Sequence, residues 1–195
     1  MLYKIKRQDC IDKYDKLPLR KYDKGIGDEI FYFPEIHSLY WLKLNTETKN
    51  LLKKKLAEEI LKLYSELGVE KLTFLCDVKI SWITKNSANR NDHKQLTDAI
   101  IYLKKNKIGV RFNGAIAVCL SELKEFLQHF FVLTRYDAIF SYYHFIDENQ
   151  KYIGYIHYDG EMNICTINEL ANSTFLKSIK VTRFIDSKRA NSNRI

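Results

Sequence analysis

Between Thr48 and Leu67 the apolar residues Leu52, Leu56, Ile60, Leu63, Tyr64 and Leu67 recur every three or four positions, with Lys and Glu between them and Gly68 directly after. That spacing predicts an amphipathic helix closed by glycine. Runs rich in aromatic and β-branched residues bracket it, at 39–45 (LYWLKLN) and 71–83, and these read as strands. The same order returns downstream: a strand at 110–119, a helix opened by Ser121 whose Leu123, Phe126, Leu127, Phe130 and Phe131 form one stripe, and a strand at 138–146. Each set is a β-α-β unit. Two units predict an α+β domain, a mixed sheet packed by about three helices, with element order matching a ferredoxin-like split β-α-β sandwich.

Additions to that plan follow from the intervening segments. A further helix after Asp92, expected as its cap, carries Leu96, Ile100 and Leu103 on one face and sits between the two units. The runs AIFSYYHFI and KYIGYIHY, joined by DENQ, predict a C-terminal hairpin. Two more short elements are expected near 162–167 and 174–184. DEIFYFP (28–34) and LYWLKLN read as two strands that can pair with each other. A domain of 28–185 is therefore expected, preceded by a polar, irregular, basic arm (1–27) and followed by a basic tail (186–195) without apolar groups to bury.

Charge narrows the partner class. The chain carries a formal +8, yet residues 1–24 hold eight Lys/Arg against four Asp and residues 174–195 hold six against one, so the stretch between them is close to neutral. Any nucleic-acid contact is then expected at the ends, through Lys4, Lys6, Arg7, Arg183, Lys188 and Arg189. The four cysteines, Cys10, Cys76, Cys119 and Cys165, show no paired spacing and read as reduced, with no zinc site. No apolar run approaches the roughly 18 residues of a membrane span, and the N-terminal run lacks an apolar signal core, so no membrane association and a cytoplasmic setting are expected.

The stretch TFLCDVKISW (73–82) places Asp77 and Lys79 between alternating apolar residues. On a strand they would share one face about 7 Å apart. Metal-dependent nucleases use a D-x-K pair in this way, the carboxylate holding a divalent cation and the ammonium polarising water or phosphate. Such a site needs a second acid from a neighbouring strand, and Asp28, Glu29 and Glu35 sit in no matching motif. An ion pair on the sheet, with Arg111 or Glu59 as partner, is the preferred reading.

Closing the C-terminal hairpin at Glu148-Asn149 pairs residue 144 with 153 and 157 with 140, which puts Tyr142, His144, Tyr155 and His157 on one face and Tyr143, Phe145, Tyr152 and Ile156 on the other. The two histidines are then about 13 Å apart, too far to act as an acid/base pair on one phosphate. Phosphate loops, G-x-S-x-G and H-E-x-x-H patterns are absent. The expectation is a non-enzymatic protein without cofactor or metal that docks on a protein partner, of the immunity, inhibitor or antagonist type, through Tyr142, His144, Tyr155 and His157. A nucleic-acid binder using the basic ends ranks second. A nuclease centred on Asp77 and Lys79 ranks third.

Overall fold

The computed structural model describes residues 2–44, 51–90 and 92–187. In chain order the elements are β1 (Tyr3–Ile5), α1 (Arg7–Lys13), β2 (Leu19–Asp23), β3 (Asp28–Tyr32), β4 (Ser38–Leu44), α2 (Leu52–Glu66), β5 (Lys71–Cys76), α3 (Lys85–Asn89), α4 (Lys94–Lys105), β6 (Ala115–Cys119), α5 (Leu120–Tyr136), β7 (Tyr143–Asp147), β8 (Tyr152–Ile156), β9 (Met162–Thr166), α6 (Glu169–Ser178) and β10 (Phe184–Asp186), with 3-10 turns at Ala138–Tyr142 and Ile179–Val181. Eight strands form one sheet in the order β1-β6-β5-β7-β8-β9-β4-β10, and β2 and β3 form a separate ribbon.

The α+β architecture holds, and its finer detail departs from expectation. Every neighbouring pair in the large sheet runs antiparallel, where a mixed sheet was anticipated. The unit β6-α5-β7 is a split one, because β5 lies between its two strands. The unit β4-α2-β5 is not: β7, β8 and β9 intervene, so the strand order is not a doubled split β-α-β.

Helix α2 forms where periodicity placed it, with Leu56, Ile60, Leu63 and Tyr64 buried. Its end is a Schellman closure: Gly68, at φ +67°, donates its N–H to the Ser65 carbonyl and Val69 to the Tyr64 carbonyl. Helix α4 begins after His93 rather than Asp92, without a side-chain cap. Helices α2, α4, α5 and α6 cover one face of the sheet and share a core with Phe74, Tyr143, Phe145 and Ile164. That face is the one expected for Tyr143, Phe145, Tyr152 and Ile156.

The opposite face is covered as well, by the segment expected to be an irregular arm. Cys10, Tyr14, Leu17 and Leu19 pack there against Leu75, Ala115, Ile146, Ile153 and Cys165. Tyr14 accepts a hydrogen bond from Thr73 Oγ1 at 3.2 Å, fixing α1 over the sheet centre. The segment from Ile5 to Leu19 therefore contributes to the core, because burying both faces of the sheet removes more apolar surface than leaving one wet. β3 pairs with β2 and not with β4, in the register Leu19↔Tyr32 to Asp23↔Asp28. Asp23 closes the connecting loop, its Oδ1 accepting from Gly25 and Ile26 N–H. No described helix is long and apolar enough to cross a membrane.

Candidate functional site

Strand β5 ends at Cys76, so Asp77 and Lys79 lie in a bend and not on the strand face that a D-x-K metal corner needs. The reason is that the Asp77 N–H bonds the Tyr142 carbonyl, while the carbonyls of Cys76 and Asp77 accept from the Arg7 guanidinium at 2.9 and 3.0 Å. The alternating apolar residues that suggested a longer strand are nevertheless satisfied, since Val78, Ile80 and Trp82 turn into the helix-side core. Trp82 is anchored by its Nε1 to the Gly114 carbonyl at 2.8 Å.

Asp77 is buried at 1% exposure, and its carboxylate faces Arg20 Nε at 3.4 Å rather than Arg111 or Glu59. Lys79 is exposed. Glu59 instead receives Arg183, whose N–H donates to Oε2 at 3.0 Å. Among the described residues no group of three His, Cys, Asp or Glu side chains could hold a metal ion.

The expected partner patch divides. The hairpin register runs through Phe145↔Gly154 and Ile146↔Ile153, two positions away from the sequence-based one, because the loop closes at Asn149-Gln150, with Gln150 at φ +55° and the Asp147 carboxylate accepting from the N–H groups of Asn149, Lys151 and Tyr152. His144 and Tyr155 consequently face each other, ring centroids 5.7 Å apart, beneath Phe31 and Phe33 on one side and Trp41 on the other. At 2% and 8% exposure they are not part of an accessible patch. Tyr142 and His157 remain half-exposed.

The basic candidates are similarly divided. Arg7 is half-buried against the end of β5, and that burial lowers its pKa against the pull of nearby Cys76, Tyr143 and Asp77. Lys4 reaches the Lys107 carbonyl and Lys6 starts α1, both exposed. Lys188 and Arg189 lie outside the described residues.

Two features stand out that the sequence did not signal as sites. The first is the β2–β3 ribbon, which exposes Tyr22 (65%), Ile26 (71%), Tyr32 and Phe33. Its base is tied to the fold by Arg20 N–H to the Asp77 carbonyl and by Phe31 against His144. Its charges cancel, with Arg20, Lys21 and Lys24 against Asp23, Asp28 and Glu29. The turn residues Gly25-Ile26-Gly27 between two aromatic-bearing runs were the available signal for this hairpin.

The second is a recess of about 550 Å³ where β2, the end of α5, the 3-10 turn and the end of β8 meet. Arg20, Arg135, Tyr136, Tyr142, His157 and Tyr158 line it, with no carboxylate among the described residues of its wall. The Arg20 guanidinium is held between the rings of Phe31 and Tyr142, at 5.0 and 5.2 Å from their centroids. His157 Nδ1 lies 2.7 Å from Asp159 Oδ1, and its ring is 4.2 Å from that of Tyr158. Arg20 comes from more than 100 positions before the other lining residues, and residues 135–142 and 157–158 from separate elements, so no local pattern announces them.

No family model matches the chain, and neither a curated protein nor a solved structure matches it.

Proposed function

We propose that the chain is a non-enzymatic binding protein that docks on, and thereby modulates or inhibits, a protein partner, and that the β2–β3 ribbon is its docking element. The observation that carries this reading is the exposure of Tyr22, Ile26, Tyr32 and Phe33 on one ribbon with no net charge, Tyr22 and Tyr32 on its opposite faces. Aromatic side chains supply large contact area at low entropic cost and are enriched at protein interfaces. A phosphate backbone would favour a positive surface instead. Tyr142 and His157 border the ribbon's base and extend the same surface, whereas His144 and Tyr155 support it from below. A cytoplasmic setting belongs to the same proposal, and four free cysteines fit it.

The test replaces three exposed residues together, Tyr22→Ser, Ile26→Ser and Tyr32→Ser, and compares capture from nuclease-treated lysate with the parent chain. The variant is expected to keep the parent's circular dichroism and melting temperature and to lose a stoichiometric protein that the parent retains. Each anchor contributes more than about 1 kcal/mol at the centre of such an interface. Equal retention by the folded variant, or retention only of nucleic acid by the parent, would overturn the reading.

A further inference from the structure

The recess beside the ribbon shares Tyr142 and His157 with the docking surface and adds a cationic chemistry that the docking proposal does not use. Its wall offers two guanidinium groups, one imidazole and three phenol rings. The acids in the neighbourhood are already engaged. Asp77 stands behind Arg20 and Asp159 is at His157 Nδ1. Asp137 is buried under the 3-10 turn, where its carboxylate accepts from Thr84 Oγ1, Ser87 Oγ and the Ile139 N–H.

The negative end of α5 also points to this region, and it is countered. Arg90 Nη1 donates to the Tyr136 carbonyl at 3.2 Å, and Arg135 sits in the last helical turn. Among the described residues Arg135 has no carboxylate partner, and Arg20 Nε faces Asp77 Oδ2 at 3.4 Å. Two forks of planar donors thus border a space whose other walls are aromatic. Guanidinium forks match the paired oxygens of phosphate or carboxylate, and phenol faces stack on flat rings. Arg20 is also already oriented, being clamped between Phe31 and Tyr142, so a ligand does not bear the entropy of ordering it. The volume, about 550 Å³, is that of a site for a small organic molecule rather than a lone ion.

We propose that this recess binds a small molecule in which a flat aromatic ring system carries a phosphate or carboxylate group, the anion meeting Arg20 and Arg135 and the ring lying among Tyr136, Tyr142 and Tyr158. The site is independent of the protein-docking reading, since it needs no partner to be occupied. A ligand here would bridge β2 to the 3-10 turn and so brace the base of the ribbon.

The probes are 1-naphthyl phosphate, 1-naphthoate, neutral 1-naphthol and inorganic phosphate, each titrated calorimetrically into the full chain. At least one of the two ring-plus-anion probes is expected to bind at one site per chain and about tenfold or more tighter than both naphthol and inorganic phosphate, the better of the two naming the anion. Arg135→Gln and Tyr158→Ala, both exposed and outside the core, are expected to weaken that probe about tenfold with an unchanged melting temperature. Dissociation constants above about 1 mM for both ring-plus-anion probes overturn the proposal. Naphthol binding as tightly as the anions, or either variant binding like the parent chain, overturns it equally. The Tyr22/Ile26/Tyr32 variant is expected to bind the probe normally, so failure of the docking surface and failure of this site are told apart.

Discussion

Replacing Gly154 by alanine tests the strand register at the centre of the sheet. Gly154 of β8 pairs with Phe145 of β7 and with Ile164 of β9. A Cβ built on it would lie 2.6 Å from the Asn163 carbonyl oxygen and 2.6 Å from Phe145 Cζ, against the 3.4 Å of an ordinary contact. Each neighbour would have to withdraw by about 0.8 Å, and neither is free to do so. The Asn163 carbonyl belongs to β9, held between β8 and β4, and the Phe145 ring is wedged by Phe74 and Tyr64 at centroid distances of 5.2 and 5.9 Å.

Overpacking of this kind costs about 1–3 kcal/mol, and two rigid neighbours at once argue for the upper end. Restricting the unfolded chain returns about 0.4–1 kcal/mol, which leaves a net loss of about 2 kcal/mol. For a domain of this size that lowers the melting temperature by about 4–8 °C. Gly109, where a Cβ would meet nothing within 4 Å, is the matched control, and its alanine variant is expected to be neutral or slightly stabilised. Urea denaturation followed by circular dichroism should show a lower midpoint with an unchanged slope for Gly154→Ala alone. Gly154→Ala as stable as Gly109→Ala would refute the register and the packing derived from it.

Burial separates the two tyrosines first expected to act together. Tyr155→Ala is expected to cost about 3–5 kcal/mol in chemical denaturation, because the ring packs edge-on to Trp41 and His144, and half-exposed Tyr142→Ala less than half as much; equal losses would contradict their placement. Burial pushes the thiols of Cys10, Cys76 and Cys165 up to about 12, so at pH 8 a disulfide reagent should modify only half-buried Cys119 in the native chain and all four cysteines in denaturant, and rapid native modification of a second thiol would be inconsistent. Asp147 is held above its ordinary value of 3.8 by burial, which outweighs the opposing N–H groups of Tyr152, Asn149 and Lys151. A carboxyl with a raised native pKa contributes stability that is present below its unfolded pKa and lost as pH rises through the native one. The stability lost on Asp147→Asn, measured in urea, should therefore be smaller at pH 7 than at pH 4. A loss that grows toward pH 7 would mean the N–H groups dominate.

Legibility in the sequence followed the strength of local periodicity. Helices α2 and α5 were readable because four or more buried positions recur at helical spacing, and α2 closes on a glycine with positive φ. The N-terminal segment was not read correctly because Lys and Asp surround its buried residues. Cys10, Tyr14 and Leu17 do keep helical spacing, and the buried sheet residues they meet, Leu75, Ala115, Ile146, Ile153 and Cys165, come more than 50 positions later. At Asp77 the alternation was real but its cause was misread: Val78, Ile80 and Trp82 reach the core from a bend that Arg7 and Tyr142 stabilise. His144 and His157 were correctly assigned to neighbouring strands or their ends, but the burial of His144 and Tyr155 comes from Phe31, Phe33 and Trp41, which no local pattern places over that face. The recess could not be anticipated, since its cations and rings converge only after the sheet has formed.

The strand order also has a consequence during synthesis. β4 takes its two neighbours from the far end of the sequence, β9 at Met162–Thr166 and β10 at Phe184–Asp186. A ribosome adding about 5–20 residues per second needs roughly 6–25 s to deliver the first of these partners. Throughout that interval Leu39, Tyr40, Trp41 and Leu42 form an unpaired aromatic segment with Lys43 as its one charge. That interval makes β4 the place where a nascent chain is most exposed to self-association, and the first stretch a holding chaperone would grip.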